Sequence, residues 1–274
     1  MILNWIKFIE SVGDIPISGD DEYVRAMFLG AKEKTFFLKM IKPDVIVDFG
    51  CADGQVLGLI EQIKPNVKLI GYDLSQEMLN KAKGIVSNKV TLTTNWNKVR
   101  QELKGYKNPT LLLSSVIHEV YSYGVTKVVK DFWEKQVFGG DFKYIAIRDM
   151  IPPISMEKKE KSLYINDIQK VKNNFDKQYI DSFEQKWGPM ENSYRTFIHF
   201  LLKYKYTKNW NRENNENYVP ISLETLFKKI PSNYTIEYQK SYLLDILKDK
   251  VKEDFDVDID HPTHLQMLLK NKNL

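Results

Sequence analysis

The chain has 274 residues, 43% of them hydrophobic and 28% charged, enough to bury a full core and too apolar throughout for a disordered segment. A single cysteine, Cys51, excludes an intramolecular disulfide framework, and the charges inside the apolar start Met1-Ile2-Leu3-Asn4-Trp5-Ile6-Lys7-Phe8-Ile9-Glu10 are unlike a secretory leader. The formal charge of +4 is modest for a protein that tracks a polyanion, and no apolar run has the length of a membrane span, so the expected setting is cytoplasmic with no membrane contact.

Residues 1–44 read as an N-terminal helical segment, with a helix over 22–40 that presents Tyr23, Met27, Phe28, Phe36, Phe37 and Leu38 and is stopped at Lys42-Pro43. Strands are expected at 45–49, 68–73, 90–94, 110–115 and 144–149, alternating with helices at 55–63, 75–83 (Ser75 as N-cap) and 125–138. This alternation predicts an α/β fold with a doubly wound, mostly parallel sheet over residues 45–150. After the fifth strand comes an insertion, 151–220, rich in Lys, Asn and aromatics and helical in parts. Residues 221–274 then supply a helix near 222–229 and strands near 234–238 and 263–269 that complete the core.

The most informative segment is Val45-Ile46-Val47-Asp48-Phe49-Gly50-Cys51-Ala52-Asp53-Gly54, followed by Lys68-Leu69-Ile70-Gly71-Tyr72-Asp73. Two apolar runs that each end in an acid, the first with a Gly-rich turn, describe parallel strands whose carboxyl ends face a ligand crevice. Asp73 at the end of the second strand suits a pair of ribose hydroxyls, so a nucleoside-containing cofactor is expected. The dinucleotide fingerprint Gly-x-Gly-x-x-Gly fails, because Ala52 and Gln55 stand where its second and third glycines belong.

The segment resembles motif I of the class I, Rossmann-like S-adenosylmethionine-dependent methyltransferases, with Asp48, Gly50 and Gly54 at the matching positions and Asp73-Leu74 resembling the ribose-binding acid and its neighbour. The resemblance covers 45–150 well and 220–270 loosely. It implies a seven-stranded methyltransferase sheet and S-adenosylmethionine as cofactor, with S-adenosylhomocysteine as product. It also implies cofactor contacts at Asp48, Gly50, Cys51, Ala52, Gly54, Asp73, Leu74, Asn95, Trp96 and Ser115. Cys51 reads as a small packing residue rather than a nucleophile, since no histidine adjoins it in sequence.

The run Ser114-Ser115-Val116-Ile117-His118-Glu119-Val120-Tyr121 resembles the motif IV region of members with a histidine at the strand's end, which implies that His118 faces the transferred methyl. His118 is the candidate proton acceptor, with Glu119 as its orienting partner or a substrate anchor. Tyr121, Tyr123, Arg148 and Asp149 are candidate substrate contacts at the crevice, Arg148 and Asp149 as a pair. The Asn/Asp-Pro-Pro-Tyr device, a Pro-Cys nucleophile and the Glu-x-x-Glu-His metal arrangement of small-RNA methyltransferases are absent from the sequence, and no metal is expected.

Because it leaves the carboxyl end of a central strand, the insertion should overhang the crevice as a lid. Its run Lys203-Tyr204-Lys205-Tyr206-Thr207-Lys208-Asn209-Trp210-Asn211-Arg212 interleaves bases and aromatics, which suits either phosphate neutralisation with stacking by Tyr204, Tyr206 and Trp210 or a solvated helix face with buried rings. Residues 157–216 hold twelve Lys or Arg against nine Asp or Glu, so the acceptor stays open between nucleic acid and a small molecule, with a protein as the remaining alternative and oxygen or nitrogen receiving the methyl. The alternatives are a cofactor-binding subunit or sensor without turnover, its insertion serving as a protein interface, and an enzyme that uses the cofactor for other than methyl transfer.

Overall fold

The computed structural model describes residue 30 and residues 33–274. The expected helix over 22–40 falls largely outside them, including Tyr23, Met27 and Phe28; Phe37 and Leu38 are buried on a short 3-10 turn, Phe36–Lys39.

Seven strands form one sheet: β1 Val45–Phe49, β2 Lys68–Tyr72, β3 Thr91–Thr93, β4 Pro109–Ser114, β5 Tyr144–Asp149, β6 Tyr234–Tyr242 and β7 His264–Asn271, in the order β3-β2-β1-β4-β5-β7-β6. The first five pair in parallel, whereas β7 is antiparallel to both β5 and β6, which makes the sheet mixed. Seven strands are the number that the resemblance implied. Both faces of the sheet are covered, and side chains alternate between them. Val45, Val47 and Phe49 enter one core with Leu111 and Ile145, while Ile46 enters the other with Leu112 and Ala146.

The crossover helices are α1 Gln55–Ile63, α2 Gln76–Ala82, α3 Trp96–Glu102, α4 Ile117–Tyr123 and α5 Thr126–Asp131, the last running on into a π-helical turn, Phe132–Val137. Ser75 caps α2 as expected, its hydroxyl accepting from the Met78 amide at 3.3 Å. The chain order reverses at β1, whose neighbours are β2 on one side and β4 on the other, so a crevice opens beyond the carboxyl ends of β1 and β4.

Between β5 and β6 lie α6 Ile165–Asn174, α7 Lys177–Trp187, α8 Tyr194–Leu201, α9 Trp210–Glu213 and α10 Leu223–Phe227. The first three pack around a core of their own that includes Ile168, Phe183 and Phe197. Val251 and Phe255 of α11, Asp245–Phe255, join that core. Residues beyond 220 therefore contribute to the helical layer as well as to the sheet. Among the described residues no helix is long and apolar enough to cross a membrane.

Candidate active site

The turn after β1 is built by backbone geometry that only some residues tolerate. Gly50 and Gly54 have φ of 75° and 82°, and Ala52 between them has φ of 46°, a left-handed conformation that costs a residue with a β-carbon about 1–2 kcal/mol. The glycines also stand where the chain is tight. A Cβ at Gly50 would lie 2.6 Å from Val116 Cγ2, and one at Gly54 would lie 2.9 Å from Ala82 Cβ. Their first duty is thus to let the turn pack on α4 and α2.

Asp73 closes the turn from the end of β2. Its Oδ2 accepts from the Ala52 amide at 2.9 Å and its Oδ1 from the Ser75 amide at 2.8 Å. Each oxygen keeps a lone pair. A cleft of about 280 Å³ lies here, walled by Asp48, Gly50, Cys51, Ala52 and Asp73 from this side and by Ser114, Ser115 and Glu119 from the β4 side, with Lys34 at its rim. Burial and the nearby Asp73 raise the Asp48 carboxyl to about 7 against the pull of Lys34. Burial raises the Cys51 thiol far above its ordinary value, helped by the Asp48 and Asp73 charges, so it is a packing group and not a nucleophile.

Of the other expected cofactor contacts, Leu74 is 81% exposed beside Asp73. Asn95 and Trp96 do not line the cleft. The Asn95 side chain caps α3 by accepting from the Asn97 amide at 2.9 Å, and Trp96 packs edge-on against Phe49 and Tyr72 at 5.3 and 5.0 Å. The aromatic cluster beneath the sheet offers the indole more buried contact than the crevice does.

A second cleft, about 730 Å³, adjoins the first and shares Lys34, Ser115 and Glu119 with it. His118 is 6% exposed on its wall. The partner that orients it is Asp149, not Glu119: Nδ1 lies 2.9 Å from Asp149 Oδ1. The same carboxylate accepts from the amides of Ile117 at 2.7 Å and Met150 at 2.8 Å, which pins it to both the start of α4 and the end of β5. With Nδ1 donating to Asp149, Nε2 presents its lone pair to the cleft, where the nearest carboxylate oxygen, Glu216 Oε2, is 3.8 Å away. Burial opposes the imidazolium, but the Asp149 carboxylate and the Glu119 and Glu216 charges outweigh it and raise the pKa above the ordinary histidine value. Burial likewise works to raise Asp149, yet His118 and the two amides hold it low.

Arg148 and Asp149 do not pair, because consecutive strand residues point to opposite faces. Arg148 donates to Ser115 Oγ, the Tyr242 hydroxyl and Glu33 Oε2 at 3.0, 3.1 and 3.0 Å. It thereby holds Ser115, at φ 56°, where the two clefts meet. Tyr121 faces away from the crevice and accepts from Trp133 Nε1 at 3.1 Å, whereas Tyr123 donates to Glu216 Oε1 at 2.8 Å.

Three residues of the basic-aromatic run, Lys203, Tyr204 and Trp210, fold inward, while Lys205, Tyr206, Lys208 and Arg212 stay exposed. Lys203 is fully buried, its ammonium donating to the carbonyls of Glu213 and Glu216 at 3.0 and 2.7 Å. Burial depresses it to about 7. Tyr204 is 2% exposed and donates to Asp254 Oδ2, and Trp210 is 8% exposed and donates to Ser182 Oγ. The buried rings of Tyr204 and Trp210 cannot act as a stacking platform, which leaves Tyr206, 50% exposed; Lys205 is paired with Asp254. Tyr204 and Tyr206 do line the larger cleft; Trp210 does not.

Glu216 gave no signal in sequence, since it arrives from about seventy residues beyond β5. It is held at 2% exposure, its Oε1 accepting from Arg212 Nε at 3.0 Å as well as from Tyr123. Arg212 also reaches Glu119 Oε1 at 3.1 Å. His118, Glu119 and Glu216 offer ligand atoms that all lie within 4.8 Å of one another.

No family model matches the chain, and no curated protein matches it in sequence. Solved structures do resemble it. The plantazolicin methyltransferase BpumL, in complex with a triazolic desmethylPZN analog and SAH, is 14% identical with a TM-score of 0.48 over 92% of this chain and 86% of its own. The methyltransferase domain of bacterial CtHen1-C is 12% identical with a TM-score of 0.49 over 88% and 98%. For the small RNA methyltransferase HEN1 the values are 13% and 0.49, over 96% of this chain and 27% of that one.

Proposed function

We propose that the protein is an S-adenosylmethionine-dependent methyltransferase that holds the cofactor in the smaller cleft and a small-molecule acceptor, bound through nitrogen or oxygen, in the larger one. The observation that carries this reading is the meeting of the two clefts at Ser115 and Glu119, with the unbonded Nε2 of an aspartate-oriented histidine on the acceptor side.

The smaller cleft suits the cofactor on the chemistry of its walls. The free lone pairs of Asp73 match two ribose hydroxyls, and Leu74 leaves an apolar surface bare beside them. The Ser114 hydroxyl, on the cleft wall, is buried without a hydrogen-bond partner in the protein, a cost of about 1–3 kcal/mol that a bound polar ligand removes. Lys34 at the rim offers a cation to a carboxylate. When bound, S-adenosylmethionine supplies a methyl carbon made electrophilic by its sulfonium and a neutral thioether leaving group.

The protein's work is then alignment and proton removal. Asp149 fixes the tautomer and direction of His118, so Nε2 can take a proton from the acceptor as it attacks. Tyr206 and Tyr218 wall the approach and limit water. A sensor or partner subunit has no use for a buried proton acceptor at this junction, which favours turnover. The inward folding of Lys203, Tyr204 and Trp210 favours a small acceptor over a nucleic acid.

Mass spectrometry of cofactor products, after incubation with pooled metabolites, RNA and DNA, tests the reading. S-adenosylhomocysteine formed only with an acceptor supports it. Binding without turnover supports the sensor, and any other cofactor product supports different chemistry.

A further inference from the structure

The larger cleft carries a charge arrangement that methyl transfer as such does not require. Two carboxylates, Glu119 and Glu216, flank the Nε2 face of His118, and one guanidinium bridges them. That guanidinium belongs to Arg212, whose side chain is 59% exposed, whereas the Glu216 side chain is 3% exposed. Glu216 cannot retreat to solvent, because buried Lys203 clamps its carbonyl at 2.7 Å and Tyr123 holds Oε1. The solvent-exposed member of the trio is the cation.

We infer that Arg212 stands in for the substrate, and that the acceptor is a protonated primary or secondary amine whose nitrogen replaces the guanidinium between Glu119 and Glu216. This rests on the methyltransferase reading above and adds the acceptor's chemical class.

The two facing carboxylates and the distances between them favour an organic cation at this corner of the cleft, whose other walls carry Lys34, Arg148, Lys205 and Lys250. An ammonium hydrogen-bonded at about 2.8 Å to each partner spans acceptors up to roughly 5.6 Å apart, which contains the 4.8 Å limit of the cluster. Metal–ligand bonds of about 2.0–2.2 Å bridge at most roughly 4.4 Å across a metal, a tighter requirement than an ammonium imposes. A neutral hydroxyl would displace Arg212 and leave two carboxylates without a cation, one of them nearly fully buried. The Tyr206 and Tyr218 rings on the same wall suit a cation as well.

The chemistry then closes. His118 Nε2 takes one proton from the ammonium, giving a neutral amine. The nitrogen lone pair forms the N–C bond to the methyl carbon as the C–S bond breaks, its electron pair staying on sulfur as the thioether. The product leaves as a methylated ammonium, and the proton on His118 passes to solvent.

Calorimetric titration of phenethylamine into protein saturated with S-adenosylhomocysteine tests the site, with 2-phenylethanol and manganese chloride as parallel probes. The amine should bind and the alcohol should not. Glu216→Gln should weaken amine binding by about tenfold or more, and Arg212→Ala, which frees both carboxylates, should tighten it several-fold. The inference is overturned if phenethylamine does not bind, if the alcohol binds equally well, if neither variant changes amine affinity, or if manganese binds in its place. Should the amine behave as described while S-adenosylmethionine titrated alone gives no binding, the amine site stands and the methyl-transfer reading fails.

Discussion

Replacing Asp149 by Asn tests the part of the site on which proton removal depends. Asp149 accepts three hydrogen bonds, from His118 Nδ1, Ile117 N and Met150 N at 2.9, 2.7 and 2.8 Å. An asparagine of the same shape has one acceptor oxygen. If that oxygen serves His118 and Met150, the new amide group points at the Ile117 N–H, and two donors face each other at the start of α4. Removing the charge from this buried pair should cost about 3–5 kcal/mol of stability. The imidazole also loses its main anionic neighbour. A base must be neutral to work, so the wild-type acid limb of kcat/KM should lie above the ordinary histidine pKa, because Asp149 raises it. In Asp149→Asn the limb should move to lower pH while the plateau falls about a hundredfold or more through lost orientation. The assay is a pH–rate profile of kcat/KM for both proteins with the acceptor found in the product survey, beside urea unfolding. A variant with an unmoved acid limb and a plateau within a few-fold of wild type would refute the dyad.

Lys203 should leave a mark on stability. Its pKa is depressed to about 7 from 10.5, so between those values the unfolded chain holds one more proton than the folded one, and unfolding free energy rises with pH by up to about 1.4 kcal/mol per unit. Lys203→Met should lose that rise in urea midpoints compared at pH about 7.5 and 9; an unchanged slope would show that Lys203 keeps its ordinary pKa in the fold. Gly50→Ala should cost about 2–4 kcal/mol, since it combines left-handed backbone strain with a methyl 2.6 Å from Val116 Cγ2, and a melting temperature equal to wild type would contradict the packing role. Replacing Lys205 and Lys208 together by Ala should leave any affinity for single-stranded RNA unchanged in fluorescence anisotropy; a marked loss would restore the basic-aromatic surface as a nucleic-acid contact.

What the sequence shows best is local chemistry. Strong β-branched runs ending in Asp48, Asp73 and Asp149 locate three strands to within a residue or two, because burial on both faces leaves little freedom in what a parallel strand can contain. Ser75 announces its helix through its capping oxygen. The weaker signals mislead for a common reason: a side chain's partner is chosen in three dimensions. Trp96 follows β3 where an adenine contact would be expected, yet Phe49 and Tyr72 claim it. His118 stands next to Glu119 in sequence but is oriented by Asp149, which the parallel register of β4 and β5 brings alongside. The run 203–212 carries the residues of a nucleic-acid surface, and its periodicity does not reveal that Lys203 and Trp210 point inward. Glu216 lies beyond any local pattern, and the short helix α4 lacks a long apolar stripe.

Methyl transfer here requires that the cleft at the ends of β1 and β2 hold S-adenosylmethionine through Asp73. Calorimetric titration of the cofactor into wild-type protein and into Asp73→Ala, with folding of the variant checked by its thermal melt, tests it directly. One cofactor should bind per wild-type chain, with an affinity lower by roughly tenfold to a hundredfold in the variant, the worth of a charge-assisted ribose contact of about 1.5–3 kcal/mol. Absence of binding to the wild type, or equal affinity in a folded Asp73→Ala protein, would contradict it.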